Sequence, residues 1–76
     1  MKTQIELYYS SMLSNSAALH EKMALLHEKH GNGKKAALSR RDATARRIAS
    51  GNVDMGVSLA LDYGQWAADQ IAAGTA

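Results

Sequence analysis

Three histidines are the first residues whose type and spacing could do chemistry. His20, His27 and His30 fall in the stretch LHEKMALLHEKHG, seven and then three residues apart. Imidazoles three apart share a helix face, which is how a zinc site often begins. His27-Glu28-Lys29-His30 superficially resembles the zinc-protease signature, but that motif places its second histidine four residues after the first. Gly31 stands there instead. The other reading is that an imidazole near a helix C-terminus complements the dipole there. No metal ligand set is assigned.

Acids are the next candidates. Asp54, Asp62 and Asp69 share one stripe with Ser58 and Gln65 at helical spacing. They lie turns apart with no histidine nearby in sequence, so a solvated face is the reading, not paired-carboxylate catalysis. The chain has no cysteine, which removes disulfides, thiolate metal sites and a thiol nucleophile. Gly31-Asn32-Gly33-Lys34 lacks the spacing and preceding strand of a phosphate loop, and no serine has the setting of an activated nucleophile. The expectation is a protein without catalysis and without a cofactor.

Basic residues are the strongest signal. Lys34, Lys35, Arg40, Arg41, Arg46 and Arg47 are six of nine lysines and arginines, with only Asp42 among them. The rest of the chain carries three lysines against six acids, so a net charge of +2 hides an asymmetry. Such a window suits phosphates, an acidic protein surface, or acids of the same chain. A groove reader is incomplete here, because the following helix carries the acidic stripe and no aromatic residues interleave with the basic ones. Asp42 and Arg46, four apart, can pair. Arg41 falls inside the apolar arc and would snorkel, reach an acid of the last helix, or serve an interface.

The elements that must position these groups read as helices throughout. Alanine is abundant and proline absent, which favours helix over sheet. Ile5, Tyr9, Met12, Ser16, Leu19, Met23, Leu26 and His30 alternate spacings of four and three, the seam of a heptad repeat over a helix from about 3 to 30. Ser10, Ser11, Ser14, Asn15 and Ser16 are weak helix formers in its middle. Gly31-Asn32-Gly33 is a helix cap and reversal that uses positive φ. A second helix covers about 35–50, with Ser39-Arg40-Arg41-Asp42 as a possible later start.

The third helix, about 52–73, has Asn52 as its expected cap. It is apolar around more than half its circumference and is therefore expected to be central. Its small side, with Gly64 beside Ala60, Ala67 and Ala68, is expected to lie along the first helix. Its bulky side of Met55, Leu59, Tyr63 and Trp66 is left for core packing or for a second molecule.

The reading is a single all-α domain over 1–76, a small helical hairpin or three-helix unit with a long heptad-patterned first helix. Ile5, Tyr9, Met12, Leu19, Met23, Leu26, Met55 and Leu59 are its packing and homodimer residues. The function expected is a protein–protein interaction module, a small adaptor or inhibitor of a larger protein, with an acidic surface as one form of that partner. Lys34, Lys35, Arg40, Arg41, Arg46, Arg47, Tyr63 and Trp66 would face that partner. A dimeric nucleic-acid-binding regulator using the basic helix 34–47 is the alternative. Small chains of this kind are often phage-encoded, an association by size alone. The N-terminus MKTQIELYY lacks the apolar core of a secretion signal and no apolar run reaches a membrane span, so the cytoplasm is the expected location.

Overall fold

The computed structural model describes residues 3–74. It is all-helical: α1 (Gln4–Lys29), α2 (Gly33–Ser50), a single 3-10 turn (Val53–Met55) and α3 (Val57–Ala73). Thr3 caps α1 by accepting the Glu6 backbone N–H at 3.2 Å. The run of serines does not interrupt the helix. Ser10 and Ser14 point at the end of α2, where their hydroxyls find partners on Ser50. Tertiary hydrogen bonds thus remove the competition that makes serine a weak helix former.

The first reversal is the one the sequence describes. Gly31 takes φ +74°, its N–H bonds to the Glu28 carbonyl, and the Asn32 N–H reaches the His27 carbonyl at 2.7 Å. That is a Schellman closure. Asn32 then caps α2 by accepting from the Lys35 N–H. Ser39 lies buried within the helix and is no cap.

The second reversal is longer than expected. Asn52 does not cap α3; its side-chain amide donates to the Ile48 carbonyl at 2.8 Å, satisfying the end of α2. The 3-10 turn follows, Gly56 turns the chain at φ +102°, and α3 starts at Val57, five residues later than expected.

The central helix is α2, not α3. It packs against α1 on one side and α3 on the other, while α1 and α3 barely touch. Two short reversals stack the helices in chain order, so the small stripe of α3 meets α2 and not α1. That stripe is Ala60, Gly64 and Ala68, every fourth residue and all buried. At Gly64 the backbones approach so closely that a Cβ would collide with the Ala45 carbonyl and lie 3.2 Å from the Ala49 nitrogen.

The interface of α1 with α2 also differs from expectation. Ser10, Ala17 and Ala24 recur every seven residues, as do Ala36, Ala43 and Ser50 on α2. Hydrogen bonds set Ser10 opposite Ser50. The antiparallel register then places Ala17 opposite Ala43 and Ala24 opposite Ala36, and all four alanines are buried. The seam of large residues faces away from α2. Ile5, Met12, Leu19, Met23 and Leu26 are exposed, with Leu19 at 57%. Both stripes share a period of seven. The one made of small residues wins the intramolecular contact because it lets backbones approach.

The result is a molecule with an alanine interior. Among the described residues the buried apolar ones are eight alanines and Val53, and no large side chain is fully buried. Its extents are 42 × 26 × 15 Å, so the molecule is flat as well as long. The radius of gyration of 13.1 Å exceeds the ~11 Å of a compact chain of this length. The accessible surface of 5221 Å² likewise exceeds the roughly 4,500 Å² of a compact monomer of this mass. Domains are ordinarily built from two packed layers. This one is a single layer.

Candidate interaction surfaces

A one-layer fold turns most of its large side chains outward; many gather into two stripes, while Leu7, Leu25, Leu38, Leu61 and Ile71 are exposed outside them. On α1, with Ala17 and Ala24 directed at α2, a step of 100° per residue puts Tyr8, Leu19 and Leu26 on the opposite side. Ile5, Met12 and Met23 occupy the arc beside them. Ile5 is 69% exposed and Tyr9 is half-buried at one margin. The stripe runs nearly the whole helix, on the order of 35 Å.

On α3 the second stripe is Leu59, Tyr63 and Trp66, at spacings of four and three. The Tyr63 ring stacks on Trp66 with centroids 6.0 Å apart and an interplanar angle of 30°. Trp66 is 59% exposed, and Met55 on the 3-10 turn is also exposed. An aromatic pair already fixed against itself loses little rotamer freedom on meeting a partner.

The arginines are mostly engaged within the chain. Arg40 pairs with Glu28 and Arg47 with Glu21, joining α2 to α1. The second pair is forked, with Arg47 Nε donating to Glu21 Oε2 at 3.3 Å beside the NH2–Oε1 bond. The hydrogen bond from Arg47 holds the Glu21 carboxyl below the usual glutamate value, outweighing the opposing desolvation, with the Arg47 charge adding to it. The same bond raises Arg47. Arg41 reaches Asp69 of α3 at 3.8 Å, so of its three readings the acid of the last helix is the one realised. Arg46 donates to the backbone carbonyl of Asp42 at 3.3 Å, not to its carboxylate. Lys34 and Lys35 lie exposed at the start of α2.

The remaining candidates are not brought together. His20 Nδ1 lies 2.8 Å from the Ser16 carbonyl of its own helix, and His30 is exposed beyond the last turn of α1. Among the described residues no three histidines or acids cluster closely enough to hold a metal ion. Asp54, Asp62 and Asp69 are exposed. The concavities are shallow; one between α1 and α2 is lined by Glu21, Leu25, Arg40, Ala43, Thr44 and Arg47, the groups that form the ion pairs.

The residues that sequence reasoning passed over are the serines. Ser10 Oγ donates to the Ser50 carbonyl at 2.9 Å, Ser50 Oγ donates to the Ser10 carbonyl at 3.1 Å, and Ser14 Oγ bonds Ser50 Oγ at 2.8 Å. Their signal was available as small residues repeating every seven. Among the described residues no helix is long and apolar enough to cross a membrane. No protein-family model matches the chain, and no curated protein or solved structure matches it at a significant level.

Proposed function

We propose that this chain is a non-enzymatic interaction module that works as part of an assembly. One observation carries the reading: the interior is alanine, while leucine, methionine, isoleucine, tyrosine and tryptophan lie outside. Burying a leucine-sized side chain is worth ~1.5–3 kcal/mol, and that stabilisation is left to be gained from a second molecule. The two stripes lie on different helices, which suits a homodimer formed through one and a partner engaged through the other. Tyr63 and Trp66 with Leu59 form the partner anchor of a small adaptor or inhibitor, since aromatic side chains dominate interface hot spots.

The arginine row is a weaker part of such a surface than its sequence implies. Arg40, Arg41 and Arg47 are committed to Glu28, Asp69 and Glu21, which lowers their pull on an acidic partner or on nucleic acid. Charge reversal there would loosen the helix packing as well as any contact. The test therefore uses Leu59→Ala and Trp66→Ala, both at exposed positions. These variants are expected to keep wild-type helical content and to lose a protein captured from the native host. Equal capture by variant and wild type overturns the assignment of this face.

A further inference from the structure

We infer that two copies of the chain pair antiparallel through the outer stripe of α1, with Met12 of one copy facing Met23 of the other. The inference rests on the reading of the chain as a self-associating module and deepens it to a face, an orientation and a register.

Heptad spacing is the first support. A stripe repeating at four and three suits another helix with the same repeat, because each knob then meets a hole along the whole length. The chain's own α2 does not take that place; it is occupied with the small stripe. A second copy of α1 supplies the matching repeat.

Layer composition decides the orientation. In an antiparallel pair a residue of one row meets a residue of the other row. The register that centres the helices then stacks Ile5 on His30, Tyr9 on Leu26, Met12 on Met23 and Ser16 on Leu19. Every polar residue of the stripe is set against an apolar one of larger or similar bulk. A parallel, in-register pair stacks Ser16 on Ser16 and His30 on His30. That leaves a gap at one layer and sets two polar rings against each other at another.

Charge agrees with the layers. Glu21 and Glu28 are turned to α2, where Arg47 and Arg40 hold them. The charges left beside the stripe are Glu6 near the N-terminal end and Lys22 and Lys29 toward the C-terminal end. Antiparallel pairing brings Glu6 to the end of the helix where His27 and Lys29 of the copy lie. Parallel pairing keeps Glu6 at the opposite end of the assembly from Lys22 and Lys29. The α3 stripe has no such self-complementary pattern, with Asp62 and Asp69 flanking it.

The chain has no cysteine, so single-cysteine variants report the geometry without background. Met12→Cys and Met23→Cys are made separately in the full chain, checked for wild-type helical content, and treated with oxidant or a short bis-maleimide. The expected result is little cross-linked dimer from either variant alone and at least a tenfold higher yield from their equimolar mixture after subunit exchange. Efficient cross-linking of each variant alone overturns the antiparallel register. A light-scattering dimer that cross-links in none of the three samples places the interface elsewhere and overturns the inference, leaving the wider reading intact. A monomer at high micromolar concentration overturns both. Leu19→Lys is the independent check: Leu19 is exposed in the single chain, so helical content is expected to hold while dimer dissociation rises more than tenfold.

Discussion

The two interfaces of α2 solve one packing problem with different chemistry. Against α1 it offers Ala36, Ala43 and Ser50 every seventh residue, and the contact is closed by serine hydroxyls and two arginine–glutamate pairs. Against α3 it offers backbone. Ala45 and Ala49 receive Gly64 so closely that no side chain fits, and among the described residues the charge contact on that side is the looser 3.8 Å pair of Arg41 with Asp69. The first interface is specified by side-chain hydrogen bonds that fix a register. The second is specified by the absence of a side chain at one residue.

Gly64 is where that contrast breaks most sharply. Gly64→Val is expected to cost more than the ~1–3 kcal/mol typical of overpacking, because the obstacle is backbone that cannot rotate away. Thermal unfolding followed by circular dichroism would show the fall. Gly64→Ala sharpens the same point. Helix propensity alone forecasts a gain of ~1 kcal/mol, whereas collision with the Ala45 carbonyl forecasts a loss. A melting temperature above wild type would defeat the close-approach account.

Ser50→Ala attacks the other interface and is expected to cost about 1–2 kcal/mol. It removes a buried donor to the Ser10 carbonyl and the partner of Ser14, while Ser10 keeps its bond to the backbone carbonyl at position 50. Denaturant midpoints should show it, and Ser14→Ala in that background should add little, since the two share one bond. The smallest effect is expected from Glu21→Gln. Both partners are exposed, so the change should be near the detection limit and vanish in molar salt. Because the folded-state value of Glu21 is depressed, its contribution is complete above its ordinary value of 4.5 and is lost as pH falls through the lower folded value. Acid titration of stability in wild type against this variant, converging at low pH, checks the sign.

Much of the architecture is legible in the sequence. Gly31-Asn32-Gly33 announced its reversal because only such residues accept positive φ cheaply, and the helical class followed from alanine content and period. What was not legible was which stripe faces inward. Hydrophobicity ranks Leu19 and Leu26 above Ala17 and Ala24, so the larger row reads as the seam. The structure chooses by closeness of approach, a property visible in the sequence only as matched heptads of small residues on two helices. The position of α3 was misread for the same reason. An apolar circumference says that a helix wants cover, not that its own chain supplies it. Gly64 marks the small side of α3 that meets a neighbouring helix, but nothing around it in sequence distinguishes α1 from α2 as that neighbour. That Tyr63 and Trp66 share one face was legible because their spacing is simple. The arginines were harder, since their partners lie 12 to 28 residues away in sequence.

The alanine interior also has a calorimetric consequence. The heat capacity of unfolding scales with apolar area newly exposed to water, typically ~12–15 cal/mol/K per residue in ordinary domains. A single layer that already shows its leucines and its tryptophan to solvent exposes little more when it melts. Its stability curve should be flat, with a broad, weakly cooperative endotherm and a shallow denaturant slope. Association would move those side chains out of water, so most of the heat-capacity change would belong to the assembly. The midpoint of melting would then climb with protein concentration.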